Sequence, residues 1–507
     1  MSENQLTVEL ANRLSGKVVV SSDISDSDLV GLDLEALTGK IVSFFEPLEG
    51  MKLLGREELV KIKESLAVEK EPVQVEIIRE TDFKPLAKEI DSKYSFKNFD
   101  VEMAGVTVND FAAYFNDRLD RLRGVIESGR GANFGGMIRN IESVKQYADG
   151  REVGIIGMVY DKIITKNGHV LITLEDQTGS AKVLFIRPEK NGRPELARLF
   201  SSAERIVMDE VLAVKGKISG PFIIANTILW PDVPIRTRKQ TEEDIAIAFT
   251  SDIHVGSKLF MEKQFGKFLK WINGEIDYRR DLAGKIKYVV ASGDLVDGIG
   301  VYPNQDKELS VPDIYKQYSM LFDLISKIPD YIHVFLLTGN HDAVRLAEPQ
   351  PALTDELIGD FKQSNIHFLS NPARMTLGGL KIIGNHGTTL DSIIQSIPGC
   401  SYSRPEGAMI EVLKRRHISP IYGDNPIVPG KKDQMVIDEV PDVLHMGHVH
   451  KNGYADYHGT LIVNGGTWQA RTSYQIKLGH VPSPALLPVY EAKSMNLSSV
   501  DFNDIGS

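Results

Sequence analysis

Residues 245–257 read IAIAFTSDIHVGS. The start of this stretch is continuously apolar, as in a strand covered on both faces, and Asp252 and His254 follow just past its carboxyl end. Four later stretches repeat the pattern. IKYVVASGDLVDG (286–298) ends in Asp294 and Asp297, and IHVFLLTGNHD (332–342) ends in Asn340, His341 and Asp342. LKIIGNHGTT (380–389) ends in His386, and PDVLHMGHVH (441–450) ends in His448 and His450. Beyond about residue 245 such strands alternate with helical segments, which predicts a layered α/β fold. The carboxyl ends of the strands are the edge where open α/β sheets place their sites.

One aspartate after a strand is more often a helix cap than a ligand, and one histidine is more often a packed residue. Five such ends in succession are a different matter. Together they collect two aspartates, one asparagine and four histidines as candidate ligands: Asp252, His254, Asp294, Asn340, His386, His448 and His450. His341, Asp297 and Asp342 are held back. A set of nitrogen and oxygen donors without thiolate suits Mn²⁺, Fe²⁺ or Zn²⁺, and so many donors suit two ions better than one. One carboxylate then has to bridge the pair, so that a shared water can lose its proton and attack phosphorus. Gly293, Gly339, Gly384 and Gly447 stand beside these ligands, where the chain must turn sharply. His445 has the opposite strand parity from His448 and His450 and reads as packing. His169, His333, His367, His417, His458 and His480 lack a ligand context.

The chain of 507 residues is long enough for two or three domains. It has no apolar run near the roughly 20 residues that cross a bilayer, and MSENQLTVEL at its start is not a secretory signal. Its single cysteine, Cys400, excludes an internal disulfide framework. These features predict a cytoplasmic protein with no membrane partner. A net charge of −11 argues against strong unaided grip on nucleic acid, because neutralised phosphates supply most such affinity. The basic clusters RTRK (236–239) and KRRH (414–417) read as solvated faces.

The remaining organisation follows from periodicity. Residues 1–70 read as a helical N-terminal domain, with amphipathic segments QLTVELANRL (5–14) and REELVKIKESL (56–66). Residues 71–150 read as a linker and one amphipathic helix, on which Phe111, Tyr114, Phe115, Leu119, Leu122 and Ile126 form a core or docking face. From 151 to 235, five β-rich runs with RPELARLFSS (193–202) between the third and fourth give the element order of an OB-fold barrel. Stacking aromatics are sparse there (Tyr160, Phe185, Phe222, Trp230), which favours a scaffolding role. Residues 231–244 read as a linker into the domain at 245–490.

The motifs DIH, GDLVD, GNHD, NHG and GHVH, in this order, resemble the five motifs of the calcineurin-like metallophosphoesterases. That resemblance spans about 200 residues. It implies a layered β-sandwich flanked by helices and a two-metal centre, Mn²⁺ first with Fe²⁺ or Zn²⁺ as alternatives. It implies one ion on Asp252, His254, Asp294 and His450, and a second on Asp294, Asn340, His386 and His448, with Asp294 as the bridge. His341 is then the catalytic histidine at the leaving oxygen, and Asp297 the carboxylate that orients it. FTSDIHVGSKLF, KFLKWINGE, GNHDAVRLAEPQPAL and NGGTWQARTSYQ, with the order of domains, further resemble the small subunit of archaeal family D DNA polymerase. That resemblance covers most of the chain. It implies a proofreading 3′→5′ exonuclease that partners a large polymerising subunit, acts on a single-stranded 3′ end or primer–template, and meets the sliding clamp only through the complex. Arg345, Arg471 and the turn at Trp468 are candidates for guiding the strand.

Three rival readings remain at this level. A metallophosphatase would share the centre but would not need the barrel and helical region. A repair nuclease would begin with these motifs near its start, whereas here the first ligand is residue 252. A mainly structural polymerase subunit would keep the layout with the site unused.

Overall fold

The computed structural model describes residues 83–99, 105–129, 134, 136–190 and 192–505. Of the first 80 it describes residues 5–14, 18–21, 24–25, 29, 34–45, 53–56 and 58–62. The chain forms two compact units, Met1–Glu80 and Thr81–Ser507.

In the first unit, helices span Gln5–Arg13 and Leu34–Phe45, and Val19–Val20 pairs in parallel with Leu53–Leu54. Leu10, Leu14, Leu37, Ile41, Leu54 and Leu59 form its core. The helix expected over 56–66 is helical at 58–62, and its last four residues lie outside the described ones, as does the start of the expected linker at 71–82.

The second unit opens with strand β1 (Tyr94–Lys97) and helix α1 (Val108–Ser128). Helix α1 starts at a capping box, in which Asp110 accepts from the Thr107 backbone N–H at 2.7 Å. A five-stranded barrel follows: β2 (Glu152–Ile164), β3 (Val170–Asp176), β4 (Gly179–Phe185), helix α2 (Pro194–Glu204), β5 (Val211–Ser219) and β6 (Phe222–Leu229). Its strands pair in the order β2-β3-β4-β6-β5, and β5 closes on β2. Inward residues such as Ile155, Ile172, Leu174, Val183 and Val214 fill it.

Two six-stranded mixed sheets make up the rest. The first contains β7 (Ala246–Thr250), β8 (Ile286–Ser292), β9 (His333–Leu337) and β10 (Ile366–Leu369) in parallel. The second contains β11 (Ala373–Leu377), β12 (Leu380–Gly384), β13 (Val443–Met446), β14 (Gly453–Tyr457) and β15 (Thr460–Asn464). The chain then returns to the first sheet with β16 (Leu486–Glu491) and β17 (Asn496–Asp501), past the residue-490 boundary expected from sequence. Strand β1 pairs antiparallel with β11 and completes the second sheet, so the region read as linker contributes a strand to it.

Strand parity explains the unbroken apolar runs. Ile247 and Phe249 of β7 join Val290, Phe335, Met375, Ile382, Val443 and Val463 in a core between the two sheets. Ala246 and Ala248 point the other way, toward helices α3 (Glu262–Ile272) and α4 (Ile314–Ile325). The outer face of the second sheet packs Leu444, Met446 and Ile462 on helices α5 (Thr389–Ser396) and α6 (Pro405–Arg415). The layers are therefore helix, sheet, sheet, helix, with no strand face left to water at the centre.

Helix α1 uses its apolar stripe as a docking face, as its periodicity suggested. Leu119, Leu122 and Ile126 pack on the barrel residues Ile156, Met158 and Val211 and on Val436 near the second sheet. Arg118 of the same helix is fully buried. Its Nε donates to Asp433 at 2.7 Å, and its Nη1 donates to the carbonyls of Pro420 and Asp209. His417 Nε2 shares Asp433 at 2.8 Å. The KRRH cluster is therefore not a solvated face, whereas RTRK keeps Thr237 and Lys239 exposed and its arginines half-buried, as expected of one. Arg415 pairs with buried Glu210 and with Glu411, Arg416 donates to the Ile437 carbonyl, and Lys414 sits over the Trp230 ring. Arg236 pairs with Asp442 and Arg238 with Asp456. Of the four candidate stacking aromatics, Phe185 and Trp230 are buried.

Arg118→Ala should leave Asp433 short of its main counter-charge and cost about 3–5 kcal/mol of stability, read from the urea unfolding midpoint. Burial and the nearby Arg118 push the His417 pKa down to about 4. The folded value lies below the ordinary value of about 6.5, so this residue's stabilisation is complete above pH 6.5 and fades as pH falls toward 4. His417→Gln should flatten that part of a melting-temperature profile against pH.

Candidate metal centre

The five strand ends meet at one rim, where the chain takes an unusual backbone form. Asp252, His254, Asp294, His448 and His450 all have φ between 49° and 69°, the left-handed region. That conformation costs a non-glycine residue about 1–3 kcal/mol, and such residues persist where surrounding structure holds them, often at functional sites. The turns fold each side chain back over the strand ends. Glycine is required where backbones then touch. A Cβ on Gly447 would overlap Ser251 Oγ, and one on Gly339 would overlap Asp294 Oδ1. A Cβ on Gly293 would come within 2.6 Å of His386 Nδ1. Gly384 differs from these three, because its Cβ would meet Leu337 in the core rather than the site.

The candidate donor atoms form two outer groups, Asp252–His254–His450 and Asp294–His386–His448, linked by Asp294, which also groups with His254 and His341. In the first, Asp252 Oδ1 lies 3.3 Å from His450 Nε2 and 3.9 Å from His254 Nε2. His254 Nε2 is 3.1 Å from His450 Nε2 and 3.8 Å from Asp294 Oδ2. In the second, the same Asp294 Oδ2 is 3.3 Å from His386 Nε2, which is 3.3 Å from His448 Nδ1 and 2.9 Å from Asn340 Oδ1. All seven residues chosen from sequence converge. His341 stands beside both groups, its Nε2 3.9 Å from Asp294 Oδ2. His448 and His450 present opposite ring nitrogens, while Val449 between them packs into the helix-side core.

Electrostatics mark the rim as short of positive charge. Burial alone would raise Asp294, yet His386, His341 and His254 around it hold its carboxyl well below the usual range. Burial opposes a charge on His386, but Asp294 and Asp252 beside it carry its pKa up to about 10. Fully buried Asp252 Oδ1 accepts no hydrogen bond and has only imidazole nitrogens near it. An orphaned carboxylate oxygen inside a nitrogen and oxygen donor set is what a divalent cation needs, so these residues fit such an ion.

Several expected roles change. The Asp297 carboxylate pairs with His254 Nδ1 at 3.0 Å and so orients a candidate ligand, not His341. His341 Nδ1 instead donates to the Asp297 backbone carbonyl at 2.7 Å. Asp342 accepts from the Gly339 and Leu295 backbone and from Tyr318, and burial pushes its pKa up to about 7. Arg345 donates to the Pro349 carbonyl. Trp468 turns into the core with Phe265 and Phe268, and its indole N–H donates to Thr250. Arg471 is exposed. His445 is packing, as parity predicted, against Ser292 and the Thr250 carbonyl.

Three polar residues around the ligands escaped the sequence reading. Asp391 accepts from His448 Nε2 at 2.9 Å, Gln475 Nε2 meets His450 Nδ1 at 3.0 Å, and Gln469 donates to Asp297 at 3.0 Å. Asp391 looked like an ordinary acid in a first helical turn, and Gln475 completes a capping box on Thr472.

The family model that describes the B subunit of DNA polymerases alpha and epsilon matches residues 247–453. The DNA polymerase II small subunit of Archaeoglobus fulgidus is 41% identical over 389 residues, 76% of this chain and 75% of that protein. The protein of the same name from Methanothermobacter thermautotrophicus is 39% identical over 415 residues, 79% of this chain and 83% of that one. That of Methanocaldococcus jannaschii is 36% identical over 442 residues, 85% and 70% of the two chains.

Gly447→Ala should force Ser251 and Asp252 apart and cost about 1–3 kcal/mol of overpacking strain. Gly384→Ala meets a single flexible leucine and should cost less. Urea unfolding of the two variants makes the comparison.

Proposed function

Because the chain belongs to the family of DNA polymerase II small subunits, we propose that it is the proofreading 3′→5′ exonuclease subunit of a heterodimeric replicative polymerase. The observation that carries this reading is Asp294 Oδ2, shared by two convergent donor groups. On this reading Asp252, His254, Asp294 and His450 hold one divalent ion and Asp294, Asn340, His386 and His448 the other, with Mn²⁺ the first choice over Fe²⁺ or Zn²⁺. Such a pair of cations, when bound, acidifies water and neutralises charge gathering on a phosphodiester. The two sheets are then a calcineurin-like phosphoesterase sandwich over 245–490. The barrel at 151–235 is an OB-fold, supported by its strand order and by the helix between its third and fourth strands.

The chain's own residues do the rest. His341 donates a hydrogen bond from Nδ1–H to the Asp297 carbonyl, which fixes the ring and turns Nε2 toward the shared carboxylate. From there His341, whose pKa burial lowers against the pull of Asp294, would when protonated pass a proton to the departing 3′-oxygen of the upstream nucleotide while a water oxygen bonds to phosphorus and the terminal nucleotide leaves as a 5′-monophosphate. Asp297 and Gln469 keep His254 in register. Net charge −11 and the pairing of both basic clusters support a large polymerising subunit that holds the primer–template, with the sliding clamp met through that complex. Among the described residues no helix is long and apolar enough to cross a membrane, and a cytoplasmic location fits replication.

The test is Mn²⁺-dependent release of nucleotides from 3′-labelled and 5′-labelled single-stranded DNA, with and without a large subunit. Wild type should free mononucleotides from the 3′ end. Asp294→Ala should abolish this. His341→Ala should bind Mn²⁺ normally yet turn over about 10²–10⁴-fold more slowly. Full rate in His341→Ala would remove its leaving-group role. Cleavage of phosphomonoesters alone would make the protein a phosphatase. Chelation with EDTA should also lower the melting temperature, since an ion that binds only the folded chain stabilises it.

A further inference from the structure

We propose that Asp391 and Gln475 are positioning residues that support the two candidate metal positions separately, Asp391 through His448 and Gln475 through His450. The inference rests on the two-ion reading above and goes beyond it by assigning a support to each position. His448 and His450 are two residues apart on one turn, both in left-handed backbone. They face different donor groups and use different nitrogens: Nδ1 of His448 meets His386, and Nε2 of His450 meets Asp252 and His254. Each ring therefore has one nitrogen left, and each of those nitrogens meets a side chain from a different element. His448 Nε2 donates to Asp391 Oδ2 at 2.9 Å, from the first turn of α5. His450 Nδ1 meets Gln475 Nε2 at 3.0 Å, from helix α7 (Ser473–Lys477).

The two supports differ in chemistry. Asp391 is a carboxylate, and a carboxylate behind an imidazole fixes its tautomer and makes the other nitrogen a stronger donor. The neighbouring Tyr402 hydroxyl favours its ionised form, and the Tyr402 ring lies tilted against His480 with centroids 4.1 Å apart. Gln475 is neutral: here its Nε2 donates to His450 Nδ1, and because an ion on His450 Nε2 puts the ring proton on Nδ1, the amide must then turn its oxygen to that nitrogen. Its Oε1 here accepts from the Thr472 backbone N–H at 3.1 Å, so loading that position draws Gln475 out of the capping box that starts α7. The position served by His448 is thus the one whose affinity depends on a buttressing charge. The position served by His450 depends on a glutamine that must exchange its helix cap for the ring.

The experiment is a Mn²⁺ titration of the full chain followed by electron paramagnetic resonance, which separates isolated ions from a spin-coupled pair. Wild type should bind two coupled ions. Asp391→Ala should weaken one site about 10–100-fold, as supporting partners of metal-binding histidines do. It should leave one uncoupled ion at moderate Mn²⁺. Asp391→Asn, which can still accept from His448, should fall between the two. Gln475→Leu should weaken the other site, so that the double variant loses high-affinity binding altogether. Melting temperatures in EDTA should match wild type, separating lost support from lost fold. If both single variants bind two coupled ions with wild-type affinity, the positioning roles are wrong while the metal centre stands. If wild type itself binds no Mn²⁺, the two-ion reading fails and takes this inference with it.

Discussion

Asp294 places one buried carboxylate oxygen between two histidine clusters at a partly open rim, and the arrangement around it follows from that placement. A buried carboxylate is costly unless it is paired. The partners that the described residues offer Asp294 are imidazoles and one backbone N–H, from His341 at 2.9 Å. Imidazoles from three strand ends must therefore be brought within 4 Å of one atom. The left-handed residues and the glycines at 293, 339 and 447 follow from that requirement, because an ordinary turn would aim the rings away.

Two sheets stacked face to face meet the requirement economically. Asp252, Asp294, Asn340 and His341 follow parallel strands of the first sheet, while His386, His448 and His450 follow neighbouring parallel strands of the second. The shared core between the sheets fixes their separation, so the two halves of the donor set are held by packing rather than by loop conformation. His445 serves that purpose away from the chemistry, bridging β13 to Ser292 and the Thr250 carbonyl just beneath the site.

The sequence carried this centre legibly because each donor sits at a fixed offset from an unbroken apolar run, and strand ends are local features. Periodicity also found α1 and its docking stripe, the barrel strands and the packing role of His445. It could not find pairings between distant segments. Asp297 was assigned to His341, and only the fold shows that its carboxylate reaches His254 while its carbonyl holds His341. Asp391 and Gln475 each had a sufficient local reason to exist, as a first-turn acid and as half of a capping box. Lys414 to His417 read as a solvated run because charge says nothing about its partners, and those partners lie in the barrel and near residue 433. Strand β1 was hidden for a related reason, since YSFK is too short to show a period and gains its strand character from β11.

Strand β1 has a consequence for how this architecture can be divided. It lies ahead of the barrel in the chain yet closes the edge of a sheet whose other strands come after it. The barrel is thus an insertion between the first strand of the sandwich and the remainder. A fragment cut at the apparent linker near 231–244 would keep all seven candidate ligands but bare the backbone N–H and C=O groups of Ala373–Leu377, a ready template for pairing with another chain. The smallest autonomous piece that carries the candidate donor set therefore begins before Tyr94, with the barrel included as passenger. Shuffling the sandwich alone into a new protein would require a substitute strand for that edge.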